Sequence, residues 1–264
     1  MVGLGLRVGL GRSGAIGVAS GFDADAAAWF AVVEAAGSVF ADGAKNAYNN
    51  FFVSEKANGN LTAFNNGMLL AFAGFDGLAG CFVPIRARGG AVPINVGFVA
   101  GQKSTTGLQG NNSAYIDCGI GYSAEQLNNH CIGFSGNSGT LDFGGIIGTP
   151  NAEGSVLMVR FFSSASLYIT SGGNETFQAP SFSKGLAMLN RIDSSSYTYR
   201  NNDSLATYSS PISTIPTGNI NIFRAGGFQA DPFLQLAFWG AALPNAAGWD
   251  TAIKTLTNAL GVTP

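Results

Sequence analysis

Two periodicities take turns along this chain. At its start, Val2, Leu4, Leu6, Val8 and Leu10 fall on one face of an extended strand, and Gly3, Gly5, Arg7, Gly9 and Gly11 fall on the other. Asp23 and Asp25 then precede an alanine-rich run that predicts a helix, with Trp29, Phe30, Val32 and Val33 as its apolar stripe and Gly37 as its end. A second helix is predicted from Asp42 to Asn58-Gly59. It carries Ala44, Tyr48, Phe51 and Phe52 on one side, and Lys45 and Lys56 on the other. The apolar run 68–85 is interrupted by Asp76 and by glycines and is ended by Pro84, so it predicts a buried helix and then a core strand rather than a membrane span.

From Ala91 the period shortens to that of strands, with turn signals every ten residues or so. Strands are predicted over 92–99, 113–120, 131–136, 139–148, 155–162, 166–171, 182–192, 196–201 and 219–226. Glycine and asparagine clusters separate them, and 166–177 and 196–208 read as hairpins. Near the end, Leu234, Leu236 and Phe238 alternate with Gln235 and Ala237, which predicts a strand with one apolar face. Pro244-Asn245 turn the chain, and Trp249, Ile253, Leu256 and Leu260 recur at helical spacing before Gly261.

Composition narrows the class. Hydrophobic residues make up 46% of the 264 and charged residues only 11%, with 38 glycines and 20 phenylalanines. Many turns and an aromatic core suit a β-sandwich. A surface so poor in charge suits contact with other copies or partners. The net charge of −2, with no basic run, speaks against nucleic acid as a partner. Cys81, Cys118 and Cys131 show no CxxC spacing, so three buried free thiols are expected, with no zinc or other metal site. No cofactor is expected. Gly9, Gly11 and Gly14 match a dinucleotide fingerprint with Glu34 downstream, but Gly17, Ser20 and Gly21 break the helix that must follow.

The layout resembles that of tailed-phage structural proteins with a concanavalin-A-like, laminin-G-type jelly-roll domain. The resemblance rests on the strand and helix over 234–260, the helical lead-in, and a stretch carrying Phe98, Val99, Gly101, Gly107, Leu108, Gly110, Asn111, Tyr115 and Asp117. It spans about residues 22–262. It implies a mainly β fold: a jelly-roll sandwich over 91–264 with a short C-terminal helix, and a helical lead-in over 23–90. The strict alternation at the start of the chain reads, independently of the resemblance, as a glycine-rich docking arm over 1–22. The arm would seat Val2, Leu4, Leu6, Val8 and Leu10 on the domain's own sheet or on a neighbouring subunit, most simply as an added strand.

The resemblance also implies a virion protein assembled in the host cytoplasm, whose partners are other virion proteins and further copies of itself, with trimers common. The leading expectation is a tail-fibre or baseplate-associated protein whose partner is a host-surface glycan; a capsid decoration protein is the alternative. A second alternative is a glycan-processing enzyme on the same fold, but a non-enzyme is expected. A glycosidase needs two carboxylates about 5–10 Å apart, and the one close pair, Asp23/Asp25, is explained by helix capping. His130 and Cys131 are neighbours and would point to opposite faces of a strand. Tyr197, Tyr199 and Tyr208, flanking Asn201, Asn202 and Asp203, are the candidate glycan site, and cross-strand aromatic packing is the competing account of the tyrosines. The same asparagine-aspartate cluster is the densest set of calcium-type oxygens, which a plain Asx turn also explains.

Overall fold

A computed structural model describes residues 21–111, 113–137, 144–150, 157–163, 166–171, 176–180, 184–202, 204–209, 217–226, 228–229 and 231–262. The expected arm, with Val2, Leu4, Leu6, Val8 and Leu10, lies outside the described residues, as does Asp203.

Local sequence explains the helices. Helix α1 (Ala24–Ala35) is capped by Asp23, whose carboxylate accepts from the backbone N–H groups of Asp25 and Ala26. It buries Ala26, Trp29, Phe30 and Val33, spaced i, i+3, i+4, i+7. Val32, expected on that stripe, points outward and is 54% exposed. Helix α2 (Ala44–Ala57) buries Tyr48, Phe51 and Phe52. Helix α3 (Ala246–Ala259) is capped by the Asn245 side chain, which accepts from Gly248 N–H at 2.9 Å. The chain turns out of α3 at Gly261, with φ +67°.

The rest is mainly β, in two sheets that form a sandwich. The first sheet runs, in spatial order, Ser204–Ser209, Ser196–Asn201, Lys184–Arg191, His130–Asn137, Phe233–Gly240, Met68–Ala71 and Arg86–Ala87. The second runs Thr176–Pro180, Ser166–Ser171, Leu157–Ser163, Gly144–Gly148, Asn221–Ile222, Tyr115–Asp117 and Ile94–Val96. The 166–171 and 196–201 strands each pair antiparallel with the strand that follows, as the hairpin signals predict.

The first sheet is the middle layer of the molecule. Phe223, beside the second sheet, meets Phe72 and Phe98 with ring centroids 6.2 and 5.0 Å apart. On the other face of the first sheet, Trp249 of α3 packs on Phe238 at 5.2 Å, Phe64 at 5.1 Å and Phe51 of α2 at 5.4 Å. Phe238 can lie flat here because Gly133 stands opposite it in register. A Cβ on Gly133 would come within 2.7 Å of the Phe238 ring and 2.5 Å of the Ala187 carbonyl oxygen.

Two expectations are corrected, and a third is extended. Residues 68–71 form a strand, not a buried helix, because they pair along Phe233–Gly240, with Leu69 opposite Phe238 and Leu70 opposite Ala237. Residues 68–71 and 86–87, expected in the lead-in, are therefore strands of the first sheet, and lead-in and sandwich share one core. The 233–240 strand is buried on both faces, Gln235 and Ala237 included, since α3 covers one face and the second sheet the other. Gln235 is satisfied there: its carboxamide oxygen accepts from Ser135 Oγ at 3.0 Å, and its NH2 donates to the Val262 carbonyl at 3.4 Å.

Candidate functional site

The tyrosines expected to read a glycan sit on strands 196–201 and 204–209. Alternation sends Tyr197 and Tyr199 into the sandwich, where each is 3% exposed. Tyr197 stacks on Tyr208 across the hairpin, 5.5 Å between centroids and 31° between planes, and the Arg191 guanidinium lies over the Tyr197 ring at 5.3 Å. Tyr208 is half-buried. An aromatic platform for sugar must face solvent, so Tyr197 and Tyr199 are corrected to core residues, and cross-strand packing accounts for their spacing. Burial raises the Tyr199 phenol above its ordinary pKa.

The asparagines divide. Asn202 adopts φ +51° and clamps the neighbouring strand: its side chain accepts from Leu186 N–H and donates to the Lys184 carbonyl, each at 2.9 Å. Both polar atoms are thus spent on backbone. Asn202 also leaves no room at Gly185, where a Cβ would meet its Oδ1 at 1.6 Å. Asn201 is half-buried beside it.

The opposite face of the same strands carries a feature the sequence reading passed over. Thr198 and Arg200 point away from the sandwich into a groove of about 260 Å³ between the strands and the turn leading into α3. Asn190, Asp193 and Ser196 line it as well, the 3%-exposed Tyr197 contributes to its wall, and Ile192 and Leu205, 72% and 57% exposed, stand at its rim. Its polar groups are held in place. Asn190 exchanges two hydrogen bonds with the Leu243 backbone, at 2.7 and 3.2 Å. Thr198 Oγ1 donates to the Asn190 carbonyl at 3.2 Å. Arg200 is paired with Asp250 of α3 at 3.0 Å, which Lys254 also approaches at 3.2 Å. The Asp193 carboxylate accepts from the backbone N–H and hydroxyl of both Ser195 and Ser196, which pulls its pKa down to about 2. Hydroxyl, amide, carboxylate and guanidinium groups fixed around a shallow groove can hydrogen-bond a polyhydroxylated ligand. The signal was the period itself: with Tyr197 and Tyr199 inward, Thr198 and Arg200 must face out.

Other candidates resolve into structural roles. Asp23 caps α1, and Lys56 bridges it to Asp25, at 2.6 and 2.9 Å, while Arg86 also pairs with Asp25. The hydrogen bond from Lys56 is the first cause that holds both carboxyls below their ordinary pKa. His130 is buried, with Nδ1 2.8 Å from the Gln126 carbonyl. Cys81, Cys118 and Cys131 are free and buried; burial pushes the first two up to about 12 and the third higher still. All three thiols should therefore resist an aromatic disulfide reagent at pH 8 in the folded protein and react fully in guanidinium, a contrast that absorbance at 412 nm would read as zero against three thiols per chain. Rapid native labelling of any one would refute this burial. Among the described residues, no group of three or more His, Cys, Asp or Glu is placed to hold a metal ion, and no helix is long and apolar enough to cross a membrane.

No family model matches the chain, and no curated protein matches it in sequence. Among solved structures it is similar to Trypanosoma rangeli sialidase, with a TM-score of 0.45 and 11% identity over 81% of this chain and 39% of that one. It is similar to a mutant of that sialidase displaying trans-sialidase activity, with a TM-score of 0.45 and 8% identity over 82% and 39%. A third similar structure is the same sialidase in complex with sialic acid, with a TM-score of 0.39 and 9% identity over 80% and 38%. The chain spans about two-fifths of the length of these structures. Likeness at this level carries over no residue and no activity. The expectation of a non-enzyme is nonetheless corrected and withdrawn, because these three similar structures are all of a sialidase.

Proposed function

We propose that this chain is a structural protein of a tailed-phage particle: a tail-fibre or baseplate-associated component, with a concanavalin-A-like jelly-roll domain that offers its 190–205 groove to host-surface glycan. The groove carries the glycan part. It presents five ordered polar side chains and two exposed aliphatic ones on the outer face of the first sheet. The particle part is supported by the order of elements in the sequence, from helical lead-in through sandwich to closing strand and helix, and by the low surface charge. Localisation in the virion follows from the same reading.

The test has two arms. Mass spectrometry of purified particles should find the chain, and a glycan array probed with the purified protein should give a binder. Thr198→Ala combined with Leu205→Asp should weaken that binder about tenfold, roughly 1.4 kcal/mol, with near-UV circular dichroism unchanged. A chain missing from particles would sink the virion reading, and an array without a binder would sink the glycan reading. The capsid-decoration role keeps one observation in its favour: Val39, Val92, Ile94 and Val99 are each more than half exposed, as suits a surface meant for subunit contacts.

A further inference from the structure

A second groove, of about 410 Å³, runs beside α1. Trp29 and Val32 form its helical side, and Val83, Pro84, Ile85 and Val92 face them. The Trp29 indole N–H is already engaged by the Val83 carbonyl at 3.2 Å, so the ring offers the groove an apolar surface. Val32 and Val92 form the lips and are 54% and 69% exposed. The Val92 lip continues into Ile94–Val96, the last strand of the second sheet, where Ile94 is 56% exposed. A largely apolar groove, with Asn65 and Arg86 also on its lining, that runs into an edge strand with no second neighbour among the described residues is costly to leave in water and a hazard for aggregation.

We propose that this groove is the seat of the chain's own N-terminal segment, with the aliphatic face of Val2, Leu4, Leu6, Val8 and Leu10 lying in it. Three observations choose this occupant. First, the chain enters α1 at the groove itself: Asp25, in the first turn, lines it, and seven residues further on Val32 marks about 10 Å of its length. Second, residues 11–22 can span about 40 Å when extended, ample for the segment to turn back. Tethering at this distance gives it an effective concentration in the millimolar range, against which a segment from another copy must compete. Third, the pattern fits. Side chains on one face of a strand recur about every 6.6 Å, so the groove takes two or three of the five aliphatic residues, and the glycine face opposite adds no bulk. The inference stands apart from the phage reading, since it concerns how the chain covers itself and not the particle it joins.

The test is cross-linking in the full chain. Cysteine is placed at Val92 and, in separate proteins, at Leu4, Leu6 or Val8, then bridged with a bis-maleimide of about 10 Å reach. The three native thiols are buried and stay out of the reaction. Leu205→Cys, exposed on the far edge of the first sheet, replaces Val92→Cys as the control. At least one groove pair should give an internally bridged chain of monomer mass in at least tenfold higher yield than its control, and adding Val32→Asp should remove that advantage. Equal yields at both positions, no bridge at any of the three, or bridges found only between chains would each overturn the proposal. Both lip residues are solvent-exposed, so unchanged circular dichroism would separate loss of docking from loss of fold.

Discussion

Trp249→Ala will destabilise the protein by about 3–5 kcal/mol, the range for removing a large aromatic side chain from a packed core. Trp249 is fully buried and sits where three parts of the chain meet: Phe51 from α2, Phe64 from the turn after it, and Phe238 from the central strand. No neighbour is free to fill the void, because Phe238 is pinned against Gly133 and Phe64 is itself buried. The loss should appear in urea unfolding as a lower midpoint with the slope unchanged. Trp249→Phe should cost much less. It keeps most of the packing and removes an indole N–H that finds no hydrogen-bond partner among the described residues. Coincident loss of near-UV and far-UV signals in Trp249→Ala would mark the helices and the sandwich as one cooperative unit. A separate early transition would instead mean that α2 and α3 melt off an intact sandwich.

The same cluster shows what the sequence could say. The helical spacing of Trp249, Ile253 and Leu256 and the cap at Asn245 are local signals, and α3 forms where they place it. The alternation of Leu234, Leu236 and Phe238 is also local, and the strand is there. Periodicity, however, reports which residues share a face and not how many faces are covered. The alternation marks one apolar face, because Ala237 carries little apolar signal, yet both faces are covered: α3 packs on the face of Phe238 and the second sheet lies over the face of Ala237. At Met68–Ala71 the run of apolar residues fits a helix or a buried strand equally. A partner 165 residues or more away in the chain decides, and no local window contains it.

The site was misread for a related reason. Tyr197, Tyr199 and Tyr208 are the residues that catch the eye in a polar hairpin, and aromatic rings serve sugar sites and β-cores alike. The hairpin register was legible, but its inward face depended on the second sheet, which only the assembled sandwich reveals. Once that face is known, Thr198 and Arg200 follow by alternation. The partner of Arg200 does not, since Asp250 comes from a helix fifty residues on.

Lowering the pH from 7 to 4.5 will weaken folding through His130, by roughly 2 kcal/mol. This histidine is fully buried, and its pKa falls from 6.5 to about 4. Burial is the first cause and the nearby Arg191 charge adds to it, while the hydrogen bond with the Gln126 carbonyl opposes them. The sign follows from proton binding. Between about 6.5 and 4 the unfolded chain takes a proton on this residue and the folded chain does not, so acid favours unfolding across that window and the loss levels off below it. Asp23, Asp25 and Asp193 are all held below their ordinary value of 3.8, so their own contribution is lost only at lower pH, and the two windows separate. Urea midpoints at half-unit steps from pH 7 to 3 should therefore fall in two stages. His130→Gln, which keeps a donor for the Gln126 carbonyl and removes the titration, should flatten the upper stage and leave the lower one, even if its stability at pH 7 is reduced. An unchanged upper stage in that variant would mean that another group titrates there and that His130 is charged, or accessible, in the folded protein.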